Sequence, residues 1–143
     1  MHGKLTQDHD GLRVAMREFA QLIDGAALTD MPEVTRRRIS FSQRFRAHMA
    51  AEDAVLRDLK RRVASPEIDR TVREHSRAQV DLFLRYSDHI ERWTPAAITA
   101  DLAGYAMAVQ ALQKGLYALM DWEETHLHPL LVQWQEQPQR RCA

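Results

Sequence analysis

Histidine and glutamate recur in this chain at positions where a helical pattern calls for an aliphatic side chain. Seven of the 143 residues are histidines, and few roles need so many imidazoles: metal ligation, proton transfer or pH sensing. Between Phe45 and Val55, His48 and Glu52 continue an apolar stripe with a three- to four-residue spacing. Because burial of an unpaired carboxylate costs several kcal/mol, this pattern predicts a bound cation.

The same kind of substitution occurs in three further segments. His9, His75 and Glu123 each continue an apolar stripe of their own. Two buried carboxylates repel one another, and a cation shared between Glu52 and Glu123 would remove that repulsion while neutral imidazoles fill its remaining coordination positions. The sequence therefore predicts one metal site built from His9, His48, Glu52, His75 and Glu123.

Helices must position these residues, because the segments that carry them are rich in Ala, Leu, Arg, Glu and Gln, which favour helix. Ser65-Pro66 and Thr94-Pro95 each have the pattern of an N-cap followed by proline in the first turn. No alternating strand pattern or Asn-Gly hairpin signal occurs. We expect four helices at about 5–28, 31–63, 66–92 and 95–134. Their short connections predict an all-α, up-down-up-down antiparallel four-helix bundle, in one domain spanning residues 1–143.

The heights of the candidate ligands along these helices agree in part. His9 and His48 lie at similar distances from the connection between the first two helices, and Glu52 and His75 match across the next connection. Glu123 is about 28 residues from the predicted start of the fourth helix, whereas His75 is only about 17 from the end of the third. The match therefore requires a fourth helix that starts later, or a longer connection before it.

The order of these motifs resembles the hemerythrin-like HHE cation-binding domains. The matching segments are His9-Asp10, His48-Met-Ala-Ala-Glu52, Glu74-His75 and Glu123-Glu124-Thr-His-Leu-His-Pro129. The resemblance covers about residues 5 to 131 and implies an up-down-up-down four-helix bundle with a non-heme di-iron centre. It also implies roles: Glu52 and Glu123 as bridging carboxylates, and His9, His48 and His75 as terminal ligands.

The chain departs from the family at two positions. Members of the family usually carry a histidine four residues before the glutamate of the fourth helix, and Leu119 stands there. Oxygen-carrying hemerythrins have a second histidine in the third helix, where this chain has Gln79. The remaining three histidines and two carboxylates leave three alternatives: an open coordination position, a mononuclear site or a degenerate site.

Of three further histidines, one is a candidate metal ligand and two are not. His126 follows Glu123 by three residues, the Glu-x-x-His spacing of ferritin-like di-iron bundles, and is therefore a sixth candidate ligand. His128 precedes Pro129, where helical geometry is disfavoured, and is predicted to lie at the surface. His89 is about 21 Å along the helix from His75, too far to join one cluster, and is predicted to be partly exposed.

Charge and composition exclude several classes of protein. Twenty basic residues balance twenty acidic ones, so no net field attracts nucleic acid or an anionic membrane. The single cysteine, Cys142, has no partner for a disulfide. The longest apolar run, 116–120, is too short to span a bilayer. The start of the sequence shows no apolar core of a signal peptide, so we expect a cytoplasmic protein.

Three functions are compatible with these observations. The first is a hemerythrin-like metal-binding protein that handles or senses O2, NO, peroxide or iron, with iron as a di-iron pair or another divalent metal as its cofactor. The second is a di-metal oxidoreductase of the peroxidase type. The third is a metal-free helical interaction module with a degenerate site. We expect a small ligand such as O2, NO or peroxide, and neither nucleic acid nor membrane, as the partner.

Overall fold

The structure, a computed structural model, describes residues 2–25 and 30–135. These residues are almost entirely helical and include no strand, which confirms the all-α prediction. The helices are α1 (His2–Ile23), α2 (Met31–Arg62), α3 (Pro66–Arg92), α4 (Pro95–Ala100), α5 (Leu102–Trp122) and α6 (His128–Gln135), with a π-helical segment (Glu123–Leu127) between the last two.

The helix starts follow the predicted capping residues. The Ser65 hydroxyl accepts the backbone N–H of Ile68 at 3.3 Å, and the Thr94 hydroxyl accepts that of Ala97 at 3.1 Å. Helix α1 ends at Ile23, earlier than predicted, and the predicted end at residue 28 lies outside the described residues. Gly25 follows with a φ of +75°, a left-handed conformation that glycine adopts without steric cost.

The predicted fourth helix is divided near its start. Helix α4 ends at Ala100, and Asp101 then begins α5 by accepting the backbone N–H of Gly104 at 2.9 Å. Glu123 consequently lies about 21 residues beyond the start of α5 rather than about 28 from the start of one long helix. The later start removes most of the height mismatch that the sequence predicted.

The second interruption is the π-helical segment, in which the backbone N–H of His128 donates to the carbonyl of Glu123, five residues earlier. Pro129 has no N–H and cannot make the next α-helical bond, so the helix widens where that bond would form. One extra residue turns the following side chains by about 100° around the axis. His128 therefore faces the interior, and the prediction that it lies at the surface was wrong.

The apolar core is divided into layers along the helices. One layer contains Leu12, Phe45, Leu82 and Met120, and a second contains Leu5, Leu56, Ile68 and Leu127. On each helix the candidate ligands fall between the residues of these two layers. Within residues 2–25 and 30–135, no helix has the length and apolarity needed to cross a membrane.

Candidate metal centre

The structure brings five of the predicted ligands together and adds a sixth residue. All six are buried: His9 and Glu52 are 0% exposed, and the least buried is 6% exposed. Their burial decides the chemistry, because ionisable groups removed from water must be paired with opposite charge or bind a cation. This buried cluster consists of His9, His48, Glu52, His75, Glu123 and His128.

Glu123 lies between two histidines from different helices. Its Oε1 atom is 2.9 Å from Nε2 of His9 in α1, and its Oε2 atom is 2.6 Å from Nε2 of His75 in α3. The two carboxylate oxygens thus face opposite sides of the cluster.

Glu52 is arranged in the same way. Its Oε1 atom is 3.1 Å from Nε2 of His75, while its Oε2 atom is 3.4 Å from Nε2 of His48 and 3.9 Å from Nε2 of His128. The ring of His9 lies 4.8 Å from that of His48 and 5.0 Å from that of His128, between centroids. The cluster therefore has a three-histidine side (His9, His48, His128) and a His75 side, with the two carboxylates between them.

Two of the imidazoles contact a further carboxylate through the ring nitrogen that faces away from the centre of the cluster. Nδ1 of His9 is 2.7 Å from Oε2 of Glu124, and Nδ1 of His48 is 3.2 Å from Oδ2 of Asp8. Arg13 in turn pairs with Glu124 at 2.7 Å. A carboxylate on the outer nitrogen of a histidine fixes the ring orientation and raises the basicity of the inner nitrogen, as is typical of metal-ligating histidines.

Apart from the hydrogen bond of 2.6 Å between Nε2 of His75 and Oε2 of Glu123, the inner atoms of the cluster largely lack hydrogen-bond partners among the described residues. This holds for Nε2 of His9 and of His48, for both oxygens of Glu52 and for both nitrogens of His128. Nε2 of His9 comes within 2.9 Å of Oε1 of Glu123 without forming a hydrogen bond to it. Ligand atoms of His9, His48, Glu52 and Glu123 all lie within 4.8 Å of one another. Buried donor atoms that converge without bonding one another fit a metal ion.

Electrostatics within the cluster favour its charged forms. Burial alone would lower the pKa of His75, but the carboxylates of Glu123 and Glu52 outweigh it and raise the pKa to about 9. The pKa of His9 is likewise raised despite burial, by Glu123 and Glu124. Burial would raise the pKa of Glu52, yet the surrounding histidines hold it far below its usual value. At neutral pH a proton on His75 therefore balances part of the carboxylate charge when no metal is bound.

His126, the sixth ligand proposed from the sequence, is not brought to this cluster. Its side chain is exposed, and its ring lies 5.2 Å from that of Trp122. The π-helical segment turns His126 outward and His128 inward. Trp122 itself stacks on His75 at 6.0 Å with an interplanar angle of 14°, which shields the His75 side from solvent.

The two departures from the hemerythrin-like pattern border the cluster. Leu119 and Gln79 line a mostly apolar cavity of only about 10 Å³, close to what one water needs, that also reaches His48, Glu52 and Glu123. Nε2 of Gln79 is buried and has no hydrogen-bond partner among the described residues. A small molecule in this cavity would lie beside the carboxylates.

Sequence reasoning missed His128, Asp8 and Glu124. The signal for His128 was Pro129 itself, since a missing N–H inside a long helical pattern also predicts a bulge. Asp8 and Glu124 each adjoin a predicted ligand, but the helix-to-helix pairing that gives them a role could not be deduced from one sequence.

The chain was compared with known proteins at three levels. No family model, curated protein or solved structure matches it.

Proposed function

We propose that this chain is a hemerythrin-like metal-binding protein whose buried cluster holds a non-heme di-iron centre. The contrast between the two nitrogens of His9 and of His48 carries the proposal. Nδ1 of each ring is held by an outer carboxylate, Glu124 or Asp8, whereas Nε2 is buried beside Glu123 or Glu52 without a hydrogen bond. This is how a histidine is held when its inner nitrogen ligates a metal.

The two sides of the cluster differ in the donors they would supply. The three-histidine side offers three imidazoles and one oxygen from each of Glu52 and Glu123. The His75 side offers one imidazole and the other oxygen of each carboxylate. We infer that the three-histidine side would hold a first metal ion more tightly, and that His75 with the carboxylates of Glu52 and Glu123 would hold a weaker second ion.

The same proposal extends to the architecture, an up-down-up-down four-helix bundle. Helix α1 packs against α2 and α5, and α3 packs against the same two helices. This closed ring of neighbours is what four antiparallel helices joined by short connections produce. Ligands from α1, α2, α3 and the segment that continues α5 lie in a common layer, as in other metal sites within helical bundles.

The ligand that this centre would handle is small. Iron at the cluster would supply binding or redox chemistry toward O2, NO or peroxide, and the adjoining cavity beside Glu52 and Glu123 is so small that it would admit only a molecule of about the size of water. The chain's own residues would orient the ligands, exclude bulk water and carry protons, since the pKa of His75 is raised to about 9 by Glu123 and Glu52, against the effect of burial.

An oxidoreductase of the peroxidase type is the second candidate. Both carboxylates line the adjoining cavity, where a reacting molecule could approach them. The His75 side also supplies few donor atoms, so a metal there would keep coordination positions for that molecule.

Iron content, the optical spectrum and peroxide consumption together test these functions. The protein should be purified from iron-supplemented cells and examined anaerobically, then after addition of O2 or NO. Bound iron with a spectrum that changes on ligand addition is expected. Sustained peroxide consumption with a reductant would instead support the oxidoreductase. Protein that retains no metal under any of these conditions would overturn both and leave a metal-free helical module.

A further inference from the structure

A second cavity lies between α1, α2, α3 and α5. It is closer to the end of α3, where Trp93 lies, than to the buried cluster. Its volume is about 50 Å³, several times what a single buried water needs, so it has room for a small molecule. Most of its wall is apolar and comes from α1, α2 and α5. The main apolar residues are Met16, Phe19, Phe41, Val109, Leu112 and Leu116.

Arg38 contributes a charge to this apolar cavity. Its Nε and Nη2 atoms are buried and have no hydrogen-bond partner among the described residues. Its guanidinium carbon lies 5.6 Å from the centre of the Tyr105 ring. Arginine stays charged at any pH a protein experiences, so this half-buried cation has two buried nitrogen donors that are not used.

None of the neighbouring polar groups in the wall neutralises Arg38. Burial and the nearby Arg38 charge lower the pKa of His89 to about 4, so this imidazole is neutral at pH 7. Burial raises the pKa of Tyr105 to about 12, which keeps the phenol uncharged. The hydroxyl of Tyr86 already shares a hydrogen bond of 2.5 Å with Ser42.

The other arginine of the wall is in a different position. Arg37 pairs with Glu33 at 2.7 Å and lies 3.7 Å from Glu18, so its charge is already balanced. Among the described residues Arg38 has no carboxylate partner, so its guanidinium suits an anion supplied by a ligand.

We propose that this Arg38 cavity binds a small organic carboxylate, with its carboxylate on the Arg38 guanidinium and its apolar body against the surrounding aromatic and aliphatic side chains. The planar guanidinium presents paired N–H donors that match a carboxylate. The apolar wall matches a hydrocarbon or aromatic body and disfavours a fully hydrated ion such as inorganic phosphate. This site does not depend on the metal centre.

Benzoate is a suitable probe because it joins one carboxylate to one aromatic ring. Benzyl alcohol has a similar shape without the charge, and phosphate has charge without an apolar body. Binding should be measured by calorimetry and by NMR shift changes on the full chain, in metal-loaded and metal-free forms. We expect benzoate to bind in both forms with one molecule per chain, and benzyl alcohol and phosphate to bind much more weakly.

Two substitutions on α2 distinguish a direct contact between Arg38 and benzoate from a general effect of positive charge on that helix. Arg38→Gln should weaken benzoate binding roughly 10- to 100-fold, the loss expected for hydrogen bonds to a charged group. Arg46→Gln removes the same charge about two turns along the helix from an exposed side chain, and should change affinity by less than about twofold because solvent screens it. A third variant, Leu112→Phe, should fill the cavity and abolish binding while leaving Arg38 in place.

The contradicting results are equally specific. Absence of benzoate binding to the wild-type chain, equal weakening by Arg38→Gln and Arg46→Gln, or unchanged binding in Leu112→Phe would each overturn the proposal. If phosphate or benzyl alcohol bound as tightly as benzoate, the cavity would not be selective for an organic carboxylate, and the proposal would be wrong. Far-UV circular dichroism and metal content confirm that each variant is folded, so that loss of benzoate binding is separable from failure of the metal centre.

Discussion

The imidazole rings of His9 and His128 lie 5.0 Å apart, between centroids, although the two residues come from opposite ends of the chain. The contact exists because the π-helical segment turns His128 inward, and it completes the three-histidine side of the cluster. Its consequence is that a residue after the last predicted ligand becomes part of the proposed metal site.

His128→Ala should lower the affinity for the first metal ion by more than about tenfold. The substitution removes one of the three imidazoles on the three-histidine side. His126→Ala is a matched control, since it removes the same side chain two residues earlier from an exposed position. Titration of metal-free protein with Fe(II) under anaerobic conditions measures both. Equal affinity losses in the two variants would exclude a special role for His128.

Glu52→Ala should abolish stoichiometric metal binding. The side chain is 0% exposed and faces histidines on both sides of the cluster, so its loss removes a donor and a negative charge from both metal positions. His89→Ala should leave the metal content unchanged, because His89 lies about four turns from His75. Elemental analysis after gel filtration distinguishes them, and retention of full metal content by Glu52→Ala would contradict the assignment.

Metal binding should release protons at neutral pH. Glu123 and Glu52 raise the pKa of His75 to about 9 in spite of burial, so this imidazole carries a proton that a metal must displace. Apparent affinity should therefore increase with pH up to about pH 9. Calorimetric titration in two buffers of different ionisation enthalpy gives the number of protons released, and a value of zero would contradict protonated histidines in the metal-free cluster.

The same raised pKa predicts how the metal-free protein responds to alkali. A histidine whose pKa is higher in the folded than in the unfolded state stabilises the fold fully below about pH 6.5, and this contribution is lost as the pH rises through about 9. The Tm of metal-free protein should fall between about pH 7 and about pH 9.5. His75→Gln should show a smaller fall over this interval. A pH-independent Tm for the wild-type protein would show that the His75 pair adds no stability.

Much of this arrangement was accessible from the sequence because helical periodicity is a strong signal. The positions of His48 and Glu52 within an apolar stripe predicted that both would be buried, and the structure places them so. Ser65 and Thr94 were identified as caps because their side chains act on residues three positions away, within one turn.

The features that were missed depend on backbone detail or on contacts between distant segments. Whether Pro129 ends a helix or widens it depends on how the helix around it packs, which periodicity does not encode. The role of Asp8 depends on its contact with His48, forty residues away in the chain. Asp101 divides the fourth helix through a side-chain cap that the long apolar pattern on both sides concealed.

Leu119→His tests the His75 side of the cluster. Residue 119 is one turn before Glu123 and lines the cavity beside it, so an imidazole there would add a nitrogen donor to the poorer side. We expect tighter binding of the second metal ion. We also expect the metal-free protein to lose ~2 to 4 kcal/mol of stability, because an apolar side chain is replaced by an unpaired polar one.

Melting temperatures with and without added Fe(II) separate these two effects, because they have opposite signs. Leu119→Ala is the control for the loss of packing alone. Equal destabilisation of Leu119→His in both conditions, with unchanged metal stoichiometry, would show that residue 119 does not reach the metal position.

The central claim, that the buried cluster holds metal, is tested most directly by anomalous diffraction at the iron edge from crystals grown anaerobically with Fe(II). We expect a strong peak bounded by the Nε2 atoms of His9, His48 and His128, with a weaker second peak between His75 and the two carboxylates. An anomalous map with no peak within the cluster, while its histidines and glutamates are well defined, would contradict the claim.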